Sequence, residues 1–139
     1  MDGPVSAHRI VVAPELAEPV GFAHAVVAAP GRTVYLGGQT AQGRDGEIVG
    51  ETIAEQFDVA AGNVTAALRA AGGQPGDLVS LLFYVTDVPA YRAALKELAP
   101  LYRKHFGRHY PAIALLGVAE LFDPAAKLEL VGTAVIADG

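Results

Sequence analysis

One carboxylate stands out among the residues able to do chemistry. Glu129 lies within Lys127-Leu128-Glu129-Leu130-Val131, an otherwise apolar strand pattern, where an ionised side chain is costly unless it meets water, a partner charge or a ligand. Two roles fit such a residue. It faces solvent or pairs with Lys127 two positions away on the same side of the strand, or it moves protons in a site. The other polar residues narrow the chemistry by exclusion. There is no cysteine, so disulfides, thiolate nucleophiles and Cys-ligated metals are ruled out. His105 and His109 are four apart, as in helical zinc pairs, but Gly107 lies between them and no carboxylate stands at a third position, so no metal is expected. Gly31, Gly37 and Gly38 do not form a dinucleotide fingerprint, and Ser6 and Ser80 lack the surroundings of a nucleophile. No cofactor is expected.

The elements that must position Glu129 follow from periodicity. His8 to Ala13, Ala23 to Ala29 and Thr33 to Gly38 read as short strands, the last two joined by a Pro30-Gly31-Arg32 turn. Gly37-Gly38 ends the third, where missing side chains either form a bulge or let something approach the backbone. From Glu51 the period changes: Ile53, Phe57, Ala60, Ala61, Val64, Ala67 and Leu68 make one apolar stripe, a long amphipathic helix closed by Ala71-Gly72-Gly73. Leu78 to Val85 is apolar on both sides, as a central strand would be. Pro89 suits a first helical turn, and helical spacing continues to Phe106, with Pro100 expected to kink or split the helix. Ala112 to Leu121 and Lys127 to Ile136 are the final strands. The order β-β-β-α-β-α-β-β implies an α+β single domain over residues 1–139, a mixed six-stranded sheet with two helices on one face, and flexible ends at 1–7 and 137–139.

Composition bears on what covers the other face. Hydrophobic residues make up 52% of the 139 and charged ones only 18%, few for a monomer, so neighbouring copies are expected to bury apolar surface. The net charge of −5 leaves no electrostatic footprint for phosphate backbones, and the one basic cluster, Arg103, Lys104 and Arg108, suits a helix end. No nucleic-acid partner is expected. No apolar run reaches the roughly eighteen residues of a membrane span, and Met1-Asp2-Gly3-Pro4 lacks the features of a secretory signal. The expectation is a cytoplasmic protein without membrane partners.

Gly21-Phe22-Ala23-His24-Ala25-Val26, Leu36-Gly37-Gly38-Gln39, Glu55-Gln56 with Asn63, Ala70-Ala71-Gly72, Asp77-Leu78-Val79, Val85-Thr86-Asp87, Tyr110-Pro111-Ala112, Val118-Ala119-Glu120-Leu121 and Lys127-Leu128-Glu129-Leu130 form a set of short stretches. In this order and at this spacing they are similar to the RidA/YjgF family of small trimeric enamine and imine deaminases. The resemblance implies a RidA-like, chorismate mutase-like fold and a homotrimer with its sites in clefts between subunits. It implies that Glu129 is the catalytic carboxylate, which positions the water attacking an imine carbon. Phe22 falls where the family has a tyrosine, and Gly38 offers its amide to a substrate oxygen. His24, in the segment bordering the cleft, is either a second acid or base or donor to the ligand, or a polar strand residue at the subunit boundary. Tyr84 either lines the cleft or belongs to the core.

The chain departs from the family at the substrate grip. The arginine that follows Pro-Ala in the deaminases is Ile113 here, and the small polar residue two places later is Leu115. No aliphatic side chain replaces a guanidinium fork on a carboxylate, and a carboxylate buried against Ile113 and Leu115 would be an unpaired charge, at several kcal/mol. The ligand is therefore expected to be neutral or apolar rather than an ordinary imino acid. Two functions follow from the resemblance: an enzyme using acid/base chemistry on an imine, enamine or related carbonyl-derived metabolite, by deamination, tautomerisation or cyclisation, or a non-catalytic trimer that binds a small molecule or regulates a partner.

Overall fold

The computed structural model describes residues 5–139. Its longest helix, α1 (Ile53–Ala70), begins where the stripe begins because Thr52 and Glu55 close a capping box. The Thr52 hydroxyl accepts from the Glu55 amide at 3.1 Å, and the Glu55 carboxylate accepts from the Thr52 and Glu51 amides at 3.0 Å each. Those backbone bonds hold the Glu55 carboxyl below the usual carboxylate range. Phe57, Val64 and Leu68 point from α1 into the core, which apolar residues at three- and four-residue spacing must do.

The core's other wall is a four-stranded sheet in the order β3-β6-β4-β5, made of β3 (Gly31–Tyr35), β4 (Leu78–Val85), β5 (Ala112–Gly117) and β6 (Leu128–Ala137). β6 runs antiparallel to both its neighbours, and β4 and β5 are parallel. β1 (Arg9–Val11) and β2 (Ala25–Val27) form a separate antiparallel pair. The six expected strands are thus present, but as ladders of four and two rather than one of six. β1 and β2 have only three residues each, and they meet the larger sheet through a single bridge, Ala23 to Ala112, where the Ala23 amide donates to the Pro111 carbonyl at 3.0 Å.

The second helical region also differs from expectation. It is two helices, α2 (Val88–Ala93) and α3 (Leu95–Phe106), giving three α-helices in all among the described residues. The break falls at Ala94, not at Pro100, which lies inside α3. Both Pro100 and Lys96, whose carbonyl the proline leaves without a donor, are exposed, so water can solvate that carbonyl and the helix continues. Of the ends expected to be flexible, residues 1–4 lie outside the described residues. Ala137 is the last residue of β6, and the Asp138 amide donates to Pro30 at 2.9 Å.

Two histidines pin this sheet to its surroundings. His8 Nδ1 accepts from the Ala29 amide at 3.0 Å while its Nε2 donates to the Val135 carbonyl at 2.8 Å. His109 is 2% exposed; its Nε2 donates to the Leu78 carbonyl at 2.7 Å and its Nδ1 has no partner. Burial holds the His109 imidazole below its ordinary value of 6.5, so between that value and its folded-state one the unfolded chain binds more protons. Stability therefore rises with pH in that window and falls as pH drops below about 6.5. Thermal midpoints measured against pH should decline below about 6.5, and His109→Asn should flatten that decline. Asp58, lowered by its bonds to His105 and Lys104, contributes only in a separate window, since its stabilisation is lost as pH falls beneath the usual 3.8. An unchanged slope in the His109 variant would rule the assignment out.

Candidate functional site

Alternation along β4, β5 and β6 sorts the candidate residues onto two faces. Leu81, Phe83, Leu128 and Leu130 are buried toward the helices. Glu129, between two of them, faces the other way and is half-buried. Register places Tyr84 directly beside Glu129 and Leu116 beside Tyr84. All three therefore lie on the sheet face that carries no helix.

Gly38 completes this side. Four residue steps from Tyr35 to Gln39 oppose three from Thr133 to Leu130, so the Gly37-Gly38 stretch carries one extra residue, a bulge. Pairing resumes at once, with Gln39 and Leu130 exchanging both amide hydrogen bonds at 2.8 Å. The bulge lets the Glu129 carboxyl lie against the bare backbone. A Cβ on Gly38 would overlap Glu129 Oε2 and stand 2.9 Å from its Cδ. Bulge and close approach, which the sequence offers as alternatives, occur together, and the approaching group is the chain's own carboxylate.

The start of β6 is set from the helix layer. Gln56 on α1 is 1% exposed. Its Nε2 donates to the Gly50 and Ala125 carbonyls at 3.1 Å each, and its Oε1 accepts from the Lys127 amide at 2.8 Å. All three bonds go to backbone, so one side chain fixes where the strand carrying Glu129 begins. The sequence signal for it is a glutamine beside Ile53 and Phe57 on the apolar stripe.

Ile113 and Leu115 belong to the opposite face. They pair with Leu81 and Phe83 and pack against the core, so within one subunit they do not meet Glu129, Gly38 or Tyr84. With Phe22 they line a cavity of 1010 Å³ roofed by α2, α3 and the loop from Glu18 to Phe22. Gly21, at a φ of 77° that L-residues avoid, makes the turn before Phe22. The Phe22 ring meets the His24 ring edge-on at 6.0 Å. His24 is engaged at both nitrogens: Nδ1 accepts from the Ala13 amide and Nε2 donates to the Ala17 carbonyl, each at 2.9 Å. That fixes its tautomer and its work, which is to hold the loop behind Phe22.

His105 and His109 part company in the fold. His105 Nε2 bonds Asp58 at 2.6 Å on the α1–α3 seam, with Lys104 on the same carboxylate at 2.9 Å, whereas His109 lies buried against Leu78. Among the described residues no group of three or more His, Cys, Asp or Glu side chains is arranged to hold a metal. No described helix is long and apolar enough to cross a membrane.

The profile of the family described as endoribonuclease L-PSP matches residues 13–136. A crystal structure of a Yersinia pestis protein of unknown function from the conserved Rid family, YyfB, is 31% identical, with a TM-score of 0.83, over 93% of this chain and 98% of that one. The chain belongs to the RidA/YjgF family. Other solved members of the RidA/YjgF fold are also similar. RidA from the Antarctic bacterium Psychrobacter sp. is 26% identical over 86% of this chain and 92% of its own, with a TM-score of 0.66. A Thermotoga maritima protein described as a putative endoribonuclease is 27% identical over 84% and 87%, with a TM-score of 0.67. No curated protein matches the sequence. RidA/YjgF membership accounts for the mixed sheet with helices on one side and for a sequence match spanning both faces of the candidate site.

Proposed function

We propose that the chain is a cofactor-independent enzyme in which Glu129 moves protons during hydrolysis of an uncharged imine or enamine. The observation that carries this is the seat of Glu129, a half-buried carboxylate lying on a glycine bulge beside Tyr84. A carboxylate held this way can take a proton from water as the oxygen attacks the imine carbon and pass it to nitrogen, then carry the proton of the new hydroxyl to nitrogen as the C–N bond breaks and the C=O bond forms. Water and imine become ketone and ammonia, and Glu129 ends as it began. Tautomerisation uses the same transfers without the water.

The two faces of the sheet favour a site shared between copies. Tyr35 is 82% exposed and Leu116 44% exposed, on the side that carries Glu129. In a homotrimer, the Glu129 notch of one copy would face the Phe22, Ile113 and Leu115 cavity of the next. Loss of the arginine at Ile113 argues for a neutral substrate, and the net charge of −5 argues against a ribonuclease role despite the family's descriptive name. Ammonia release from an aryl ketimine generated in situ is the assay. Glu129→Gln should lower the rate by about a hundredfold or more. Full turnover in Glu129→Gln would sink the proposal, and ligand binding without any turnover by the native chain would favour a binding or regulatory protein.

A further inference from the structure

The geometry points to a ligand class for the cavity between α3 and β5: an uncharged, ring-bearing ketone or imine whose acceptor atom takes a hydrogen bond from the Tyr91 hydroxyl. The 1010 Å³ available is at the upper end of small-molecule sites and far exceeds what a short imino acid fills. Its only charged lining residue is Glu18, which repels anions and supplies no counter-ion for a carboxylate.

The walls are aromatic and braced. The Tyr102 and Tyr110 rings stack in parallel at 4.9 Å with 6° between their planes, and Phe83 meets Tyr91 edge-on at 6.4 Å. Such a surface favours another flat ring. The Tyr102 hydroxyl is already committed, donating to the His109 carbonyl at 2.7 Å. The Tyr91 and Tyr110 hydroxyls have no protein partner among the described residues. Burial pushes the Tyr91 phenol up to about 12, so it stays protonated and is suited to donate. The Tyr91 hydroxyl is not among the buried partnerless atoms, so it is open to the cavity, and a carbonyl or imine acceptor can take its hydrogen bond in place of water.

This assignment rests on the proposed function only in treating the cavity as the substrate half of the site; binding by the cavity is a separate property. The test is calorimetric titration of the full chain with 2-acetylnaphthalene and 2-naphthoate, which share a ring system and differ in charge. The ketone should bind, and the carboxylate should bind at least about a hundredfold more weakly. Tyr91→Phe should weaken the ketone by up to about tenfold through loss of one hydrogen bond. Ala99 lines the cavity from an exposed position on α3, so Ala99→Phe should abolish binding while keeping the native thermal midpoint. Equal binding of the two compounds, no binding of either, or ketone affinity unaltered in either variant would overturn the assignment. Since the readout is binding, failure of Glu129 chemistry leaves these outcomes as they are, and failure of ketone binding leaves the Glu129→Gln comparison standing.

Discussion

Gly38→Ala is expected to lower turnover by about two to three orders of magnitude, as much as losing the carboxylate itself, while the fold stays intact. The argument is steric and local. Gly38 is not among the glycines with positive φ, so alanine can adopt its backbone conformation without strain. What alanine cannot do is share space with Glu129, since the new methyl would overlap Oε2 and stand 2.9 Å from Cδ. The colliding atoms are the far end of a flexible side chain. Glu129 therefore swings to another rotamer, at a cost to stability of about 1 kcal/mol or less, and leaves the position from which it reaches substrate. Parallel kinetics and thermal melts would separate the two effects. Wild-type turnover in a folded Gly38→Ala protein would show that the seat of Glu129 does not matter.

The largest loss of stability outside the apolar core is expected at Gln56. Replacing it by methionine keeps the volume and removes three hydrogen bonds, to the backbone of Gly50, Ala125 and Lys127, at about 3 kcal/mol in total. For a domain of this size that corresponds to a drop of roughly 10 °C in thermal midpoint. The loss should also reach the site. The Lys127 amide, held by Gln56 at 2.8 Å, lies two residues before Glu129, and releasing it frees the beginning of β6 where Tyr84 and Glu129 pair. Gln56→Met should accordingly lower turnover even at temperatures where the protein remains folded. A variant within about 0.5 kcal/mol of the native protein would show that Gln56 serves only to fill space.

Much of the architecture is legible in the sequence because its cause is local. The stripe from Ile53 to Leu68 reads as a helix and is one, since a 3.6-residue apolar period has no other stable use. Leu78 to Val85 reads as a central strand and has neighbours on both edges. Strand ends are less legible. The stretch expected to reach Leu121 stops at Gly117, where β4 also runs out and the Val118 amide takes the Val85 carbonyl. The split at Ala94 instead of Pro100 depends on which carbonyls water can reach.

The candidate site divides along the same line. A carboxylate alternating with leucines marks Glu129 without any structure. Its fit to Gly38 is invisible in sequence, because the two residues lie on strands that become neighbours only through β6 running beside β3, and only through the bulge. The separation of Ile113 and Leu115 from Glu129 is equally hidden. Residue type says nothing of which face a strand position takes until register with β4 is known. His24 shows the converse: its type invites a chemical role, and its two backbone hydrogen bonds assign it a structural one.

The bulge at Gly37-Gly38 also shifts the strand's reading frame. Before it, odd positions look away from the helices and even ones toward them, with Tyr35 exposed and Leu36 buried. After it the parity inverts: Gln39 pairs with the inward Leu130, and Ala41 is fully buried. Removing one of the two glycines would leave three steps opposing three, so the strand would pair without a bulge and Gln39 and Ala41 would keep their faces. The extra residue is thus silent for the core, and its loss would be felt only in the irregular stretch against which the Glu129 carboxyl lies.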